Sequence, residues 1–193
     1  MNFDEHELII VAGNTTSDDY APAANDHAFV YAVDWEGNWR WGKFFYNVSF
    51  AISTISGCSI DANGNAVFLG MGNSVPIIME LDPTDGSVLK FMSFDKIGAT
   101  DTNMPWYATY GAIHHDLSDP DDGLSYYYAA FIMDDAMQVV KVNSVDFTIK
   151  WNFQYFSQPT GAIGTDWMNK KIPGTLHQDP NDNKRMYMFG QFA

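Results

Sequence analysis

Four aspartates gather on one short stretch of the sequence and could bind a metal ion. They are Asp116, Asp119, Asp121 and Asp122. Calcium takes about six to eight oxygen ligands and favours carboxylates, so this stretch predicts a weak calcium site. The competing interpretation is that these residues close turns between strands, because an Asp side chain readily accepts hydrogen bonds from the backbone that follows it. The sequence favours a protein without a cofactor, and calcium is the candidate if there is one.

Two other turns share the oxygen spacing of calcium loops. Asp61, Asn63 and Asn65 stand at alternate positions, and the run from Asp179 to Asn183 repeats the pattern. An EF-hand loop also needs a glycine at its sixth position and a glutamate at its twelfth, and neither stretch has them. The sequence therefore favours Asx turns at both places.

Histidines precede two of these aspartates and form a second candidate metal site. The runs are His114-His115-Asp116 and His177-Gln178-Asp179. Imidazoles on neighbouring strands can share a metal ion, but adjacent residues on a strand point to opposite faces. At most one of His114 and His115 can then face a given site, and roles in turns or caps are the alternative.

The sequence shows no catalytic constellation. The Gly-x-Ser-x-Gly turn of many hydrolases is absent, and Gly70-Met71-Gly72 ends a strand pattern instead of opening a helix as a phosphate-binding loop does. Cys58 is the single cysteine, which excludes an intrachain disulfide. Because nothing nearby would activate its thiol, we expect Cys58 to be a small buried residue. A non-enzymatic protein is the favoured interpretation.

The charge of the chain excludes several classes of partner. The formal net charge is −14, with only 10 Lys and Arg against 24 Asp and Glu. Nucleic acids and anionic lipid surfaces attract clustered positive charge, so neither is an expected partner. Apolar runs of about half a dozen residues are too short to span a bilayer.

Two sequence triplets bear on the compartment. Asn14-Thr15-Thr16 and Asn47-Val48-Ser49 are N-glycosylation acceptors. With the acidity, they predict an extracellular or cell-surface glycoprotein. The first seven residues lack the basic and apolar regions of a signal peptide, so we expect either a mature or partial segment or, as the alternative, a cytoplasmic protein.

A short apolar strand ending near a glycine recurs along the chain. The copies are Leu8–Asn14, Ala66–Asn73, Tyr126–Phe131 and Met186–Gln191. Gly13 and Gly72 are 59 residues apart, and Gly190 follows after twice that distance. With 20 Asp and only 4 Glu, the composition favours turns over helices. The sequence predicts one all-β repeat domain over residues 1–193, with units of four strands at about 14–72, 73–131 and 132–190.

The last two strands of each unit carry matching patterns. The third strands are Tyr31–Asp34, Met79–Asp82 and Val140–Asn143. Alternation should put their first and third residues on one face, and Ala32, Glu80 and Lys141 on the other. The fourth strands carry basic–aromatic pairs, namely Arg40-Trp41, Lys90-Phe91 and Lys150-Trp151. In each pair we expect the ring to be buried and the cation to stay in water.

These units resemble blades of the pyrroloquinoline-quinone-like β-propeller superfamily. Blades of that superfamily often read as a strand ending in Asp, a turn with Gly and a strand with Trp. Val30–Trp41 fits this pattern, and Met79–Leu89 fits its first strand and its turn. The unit Val140–Trp151 departs from it, because its turn lacks glycine. The resemblance implies a propeller-like array of about three four-stranded blades.

Three such units are fewer than the four to eight blades usual in a propeller. The chain would then be a segment of a larger propeller, one subunit of a ring that several chains close, or a subunit that shares strands end to end in a filament. Its partners would be further blades of the same protein or other copies of itself. Trp35 and Trp39 flank a hairpin turn and are the predicted interface residues.

The sequence favours a structural or interaction scaffold, extracellular and self-associating, of the fibre or surface-layer type. Two alternatives stay open. One is a fragment of a quinone- or metal-dependent propeller oxidoreductase, and the other is a propeller that binds carbohydrate or peptide.

Overall fold

The structure is a computed structural model, and it describes residues 8–15, 27–47, 50–72, 75–94, 111–119, 121–133, 136–155, 171–179 and 181–192. Every regular element in these ranges is a β-strand. The strands are β1 Leu8–Thr15, β2 His27–Asp34, β3 Trp39–Asn47, β4 Phe50–Ile60, β5 Ala66–Gly72, β6 Val75–Leu81, β7 Val88–Ser93, β8 Gly111–Asp116, β9 Tyr126–Met133, β10 Ala136–Asn143, β11 Ile149–Tyr155, β12 Lys171–Asp179 and β13 Asp182–Phe192. The predicted all-β fold is confirmed.

The strands form four successive antiparallel groups, which we name the first to fourth sheets. They comprise β1–β3, β4–β7, β8–β11 and β12–β13. Within each group, strands that follow one another in the chain are hydrogen-bonded neighbours. A ladder of two pairs, Tyr46 with Ala51 and Asn47 with Phe50, also joins β3 to β4, so the first two sheets are continuous.

Each sheet packs one face against the sheet that follows it. A core between the first and second sheets includes Val30, Trp41, Phe68, Met79 and Leu81. A second core between the second and third sheets includes Leu69, Ile78, Tyr127, Phe131 and Val140. The third and fourth sheets meet at the smaller cluster of Ala112, Ala130 and Leu176. The apolar faces of the strands thus stack the sheets in chain order.

The predicted alternation of the third strands is confirmed. Met79 and Leu81 of β6 lie in the core that faces the first sheet, and Val140 and Val142 of β10 lie in the core that faces the second. In the second and third sheets, this set of positions faces the preceding sheet. The intervening residues face the following one.

One of the three basic–aromatic pairs is reversed. Trp41 is buried and Arg40 is exposed, as expected, but Phe91 is 39% exposed. Lys90 lies opposite Glu80 in the strand register, and its Nζ is 2.8 Å from the Glu80 carboxylate. Because a buried carboxylate needs a charged partner, Lys90 points inward and Phe91 outward.

Cys58 is exposed, so the prediction of a buried cysteine is wrong. Its neighbour Gly57 faces the third sheet, and a Cβ built on Gly57 would be 3.1 Å from the carbonyl oxygen of Gly111. Successive residues of a strand point to opposite sides. The close approach of β4 to β8 at Gly57 therefore turns Cys58 to the other side.

The predicted units do not begin and end where the sheets do. The first sheet begins before the predicted unit of residues 14–72, and the other two predicted units are also offset along the chain from the sheets. The unit boundaries and the blade count stay predictions. Within the described ranges, no helix has the length and apolar character needed to cross a membrane.

Candidate functional site

The four aspartates proposed as calcium ligands do not share a site, and three of them pair with different side chains. Asp119 is buried and pairs with Lys141, whereas exposed Asp121 pairs with Lys184 at 2.6 Å. Asp122 accepts a hydrogen bond from the Tyr126 hydroxyl at 2.7 Å. Asp116 is buried, and its Oδ2 has no partner among the described residues. The described ranges contain no cluster of three or more His, Cys, Asp or Glu side chains placed to hold a metal ion.

The buried pair of Asp119 and Lys141 is electrostatically the strongest feature of this region. Burial alone raises the pKa of Asp119, but hydrogen bonds from Lys141 and from the Asp121 amide outweigh it and leave that pKa below its usual value. Burial lowers the pKa of Lys141, and its contacts with Asp119 and Tyr128 reverse this and raise it. The Lys141 ammonium also lies 4.1 Å from the centre of the Tyr126 ring. Both groups are charged near neutral pH.

The other calcium-like spacings belong to Asx turns. Asp61 Oδ1 accepts hydrogen bonds from the amides of Asn63 and Asn65, both at 2.8 Å. Asp179 Oδ1 accepts one from the Asn181 amide at 2.9 Å. These carboxylates therefore bind the backbone that comes after them, which is the turn chemistry expected of Asp.

The histidines lie apart in function as well as in position. His115 is buried, its Nε2 is 2.5 Å from the Ser125 hydroxyl, and its ring packs on Tyr127. Burial lowers the pKa of His115, so the ring is neutral at physiological pH. His177 lies on the exposed side of β12 against Phe189. The structure does not bring His115 and His177 to one site.

The predicted glycosylation and interface residues are at or near the first sheet. Asn14 is an exposed residue of β1 whose Oδ1 accepts a hydrogen bond from the Ile55 amide at 2.9 Å, and Asn47 is the last residue of β3. Glycosylation at both stays a prediction. Trp35 and Trp39 are 66% and 63% exposed, and the Trp39 ring stacks on Tyr31 with centroids 5.6 Å apart.

The first sheet has a second apolar face, which we call the head face. The strand register places its side chains together. They are Ile9, Val11, Phe29, Tyr31, Val33, Trp39 and Phe44. In the second and third sheets, the residues equivalent to Tyr31 and Val33 face the preceding sheet. The head face is thus the counterpart of two internal interfaces, yet Trp39 and Ile9 are exposed on it.

The fourth sheet carries the corresponding surface at the other end, the tail face. It consists of Thr175, His177, Tyr187 and Phe189, which pair across β12 and β13. Tyr187 is 45% and Phe189 57% exposed. The opposite side of β13, with Met186 and Met188, packs on the third sheet.

A groove of about 440 Å³ lies between the third and fourth sheets. Its apolar wall includes Tyr128, Val139, Trp151 and Phe153 of the third sheet, opposite Met186 and Met188 of β13. Three of the ten Lys and Arg residues line it, namely Lys141, Lys184 and Arg185. Asp119 and Asp121 line it as well, and the three cations are paired with Asp119, Asp121 and Asp182.

The last strands of the first and second sheets, β3 and β7, each contact a turn of the following sheet. The two contacting residues occupy equivalent positions. Trp41 Nε1 donates a hydrogen bond to the Pro83 carbonyl at 2.7 Å, in the turn between β6 and β7. Lys90 donates to the Ser144 carbonyl at 2.8 Å, in the turn between β10 and β11. Trp151 is the equivalent residue of the third sheet, since it pairs with Lys141 as Lys90 pairs with Glu80. Trp151 lines the groove, and no described residue accepts a hydrogen bond from its Nε1.

Sequence reasoning predicted Trp39 as an interface residue but not the groove. The groove depends on which side of the third sheet remains uncovered by β12 and β13, and no local pattern encodes this. The sequence signal closest to the groove is the pair of adjacent cations Lys184-Arg185, which interrupts an acidic sequence.

Comparison with known proteins does not assign a family. No protein-family model matches the chain, and no curated protein matches it. The resemblance to propeller blades therefore rests on the sequence pattern.

Proposed function

We propose that this protein is a non-catalytic scaffold that self-associates head to tail, the tail face of one copy packing on the head face of the next. The four sheets would be consecutive blades of a propeller-like array, in an extracellular or cell-surface assembly. The observation that carries the proposal is the head face, an apolar sheet surface with Trp39 63% exposed. In each sheet with a preceding neighbour, the matching surface is covered.

The two terminal faces are complementary in chemistry. The head face is aromatic and aliphatic, and the tail face presents Tyr187 and Phe189. Exposed apolar patches of this kind mark association sites, and aromatic residues contribute most at the centres of interfaces. A contact between two different faces is heterologous, so it generates a ring when the rotation closes and a filament when it does not.

The test uses one variant for each face. Analytical ultracentrifugation of the wild-type chain should show oligomers, and Trp39→Ser or Phe189→Ser should each give monomers. An equimolar mixture of the two variants should give a dimer, because the intact tail of the first can pack on the intact head of the second.

Leu117→Ser changes a residue that is 63% exposed and on neither face, and it should leave the oligomers intact. A wild-type chain that stays monomeric at high concentration would refute the proposed function. If only the head variant prevents association, two head faces pack on each other and the head-to-tail arrangement is wrong.

A further inference from the structure

We propose that Lys141 and Asp119 join covalently in the folded chain, through an amide bond between the lysine Nζ and the aspartate Cγ. This intramolecular isopeptide bond would be a modification that the chain makes by itself, without an enzyme, cofactor or partner. The two residues are 22 positions apart. The bond would therefore tie the turn after β8 to β10 and close a loop within the third sheet.

The two reacting groups are already in contact and shielded from water. Lys141 Nζ contacts Asp119 Oδ2 directly, and the two side chains are only 9% and 5% exposed. The ammonium lies over the Tyr126 ring and near the Tyr128 ring. Reacting groups held together in this way have a very high effective concentration. Burial also favours the reaction, because condensation removes two charges that are costly to keep in an apolar environment.

The Asp119 carboxyl is held with its two oxygens in different environments. Oδ1 accepts a hydrogen bond from the Asp121 amide at 2.9 Å, while Oδ2 faces Lys141. The Asp119 amide donates to the Leu124 carbonyl at 2.8 Å, and the Gly123 amide donates to the Asp119 carbonyl at 2.7 Å, which fixes the backbone. A donor at Oδ1 would stabilise the negative charge that develops on this oxygen during attack on Cγ. Oδ2 is then the oxygen that leaves.

The reaction begins from the ion pair described above. The Lys141 ammonium gives one proton to the Asp119 carboxylate that it contacts, and the neutral amine attacks Cγ. The C–N bond forms, a second proton leaves the nitrogen, the bond between Cγ and Oδ2 breaks, and this oxygen departs as water with both protons. One ammonium and one carboxylate thus give one amide and one water, and nothing is oxidised or reduced.

The second proton needs a temporary acceptor, and Asp116 is placed for this role. Asp116 is 3% exposed, and its Oδ2 has no partner among the described residues. In the strand register it lies opposite Tyr126, on the face of the third sheet that carries Lys141. Burial is the main cause of the raised pKa of Tyr128, and the charge of Asp116 adds to it. Because Tyr128 also contacts Lys141, a proton can pass from the amine through the Tyr128 hydroxyl to Asp116.

The pair of Lys90 and Glu80 shows how this site differs from an ordinary buried ion pair. Lys90 Nζ is 2.8 Å from Glu80 Oε2, but it also donates to the Ser144 carbonyl, and its side chain is 32% exposed. Glu80 Oε1 accepts a hydrogen bond from the Asn65 side chain. Asp116 is the carboxylate with an unpartnered buried oxygen among the described residues, and it lies on the opposite face of the third sheet. We therefore expect Lys90 and Glu80 to remain an ion pair.

Intact mass spectrometry of the purified chain tests the proposal. The wild-type mass should be lower than the mass of the sequence by about 18 Da, because one water is lost. Lys141→Arg keeps a positive charge beside Asp119, but its guanidinium stays protonated and is not a nucleophile, so this variant should show no deficit. Lys90→Arg is the matched control and should retain the deficit. A wild-type chain that keeps its full mass after prolonged incubation at neutral pH would refute the proposal.

Cleavage with cyanogen bromide locates the bond. The reagent cuts after methionine, and both Met133 and Met137 lie between the two linked residues in the sequence. The fragments 105–133 and 138–168 should therefore stay joined in the wild type and come apart in Lys141→Arg.

The same fragments exclude another source of the mass loss. An aspartate followed by glycine can cyclise to a succinimide, which also releases one water, and the chain has two such pairs, Asp85-Gly86 and Asp122-Gly123. A succinimide leaves the two fragments separate. A mass deficit with separate fragments would therefore contradict the isopeptide bond.

Asp116→Asn tests the proton acceptor, because it keeps the shape of the side chain and removes its basicity. The fraction of linked chains at a fixed time after synthesis should fall about tenfold or more. Asp116→Glu restores a carboxylate and should recover part of the reaction, which a purely structural role would not produce. Asp146→Asn, at an exposed turn residue of the same sheet, is the control. Linking at the wild-type rate in Asp116→Asn would overturn the role given to Asp116.

These measurements do not depend on the proposed self-association, because the bond forms within one chain. Dilution should leave the fraction of linked chains unchanged, and a chain kept unfolded in urea should not link, since the two groups meet only in the folded state. A denatured product with the mass of two chains would show that the bond joins separate copies, and would refute the proposal.

Discussion

Carboxylates in this protein are used mainly to hold backbone turns and to pair with lysines. Asp61 and Asp179 bind the amides that come after them, while Asp119 and Glu80 are buried beside Lys141 and Lys90. An acidic chain can therefore bury charge at a few positions where a cation is supplied by the adjacent strand. The stability of the third sheet should depend on such pairs.

Lys141→Met should destabilise the protein by about 3–5 kcal/mol, because it leaves the buried carboxylate of Asp119 without its cation. Urea unfolding at pH 7 measures the free energy. Lys150→Met is the control, since Lys150 is 56% exposed and 3.6 Å from Asp122, and it should cost about 0–1 kcal/mol. Adding Asp119→Asn to Lys141→Met should recover part of the loss. Equal effects of the two lysine variants would contradict this role for the pair.

His115 should make stability depend on pH in the mildly acid range. Its pKa is lowered in the folded state by burial, so below about pH 6.5 the unfolded chain binds more protons than the folded one. The free energy of unfolding should then decrease as the pH is lowered, by up to about 1.4 kcal/mol per pH unit, until the pH reaches the pKa of His115 in the folded state. Urea unfolding between pH 7.5 and 5.5 measures this slope.

His115→Gln should flatten that slope, and His177→Gln, at an exposed residue of β12, should not. A wild-type slope that His115→Gln leaves unchanged would show that another group is responsible.

At the scale of elements, hairpin turns form contacts between sheets as well as within them. The turn between β6 and β7 receives the Trp41 ring at Gly86, which has a φ of 71°. The turn between β10 and β11 receives Lys90 through Ser144 and Phe147. Each turn therefore joins its own sheet to the preceding one.

Gly86→Ala should be more destabilising than Gly64→Ala, measured by thermal or urea unfolding. Both glycines have positive φ, 71° and 84°, so both variants carry a similar backbone cost. A Cβ at Gly64 meets nothing within 4 Å, but one at Gly86 would be 2.6 Å from the Trp41 ring. We expect the difference to be about 1–3 kcal/mol, as for overpacking in a core. Equal costs would mean that Trp41 moves aside freely.

Periodicity alone predicted the strands and the facing of β6 and β10, because a half-buried strand has a strict period of two. It did not predict the exposure of Cys58 or the inward direction of Lys90. The exposure of Cys58 depends on the approach of Gly57 to Gly111, far along the chain, and the direction of Lys90 depends on the buried carboxylate of Glu80 on the adjacent strand. The clustering of Asp116, Asp119, Asp121 and Asp122 was visible in the sequence. Their partners were not, because Lys141 and Tyr126 come from other strands of the third sheet and Lys184 comes from the fourth.

At the scale of the whole molecule, the four sheets form a series with different surfaces at its two ends. The interior faces are apolar. The proposed self-association uses the two ends of the series.

The contact between the third and fourth sheets has the smallest buried cluster of the three contacts in this series. Of the residues that the structure describes, Ala112, Ala130 and Leu176 are the buried ones there, whereas the other two cores contain large aromatic and aliphatic side chains. Under mechanical load, the β12–β13 hairpin should separate first and leave the remaining three sheets as an intact body. In an end-to-end assembly under tension, the contact between the third and fourth sheets would therefore open before the other two.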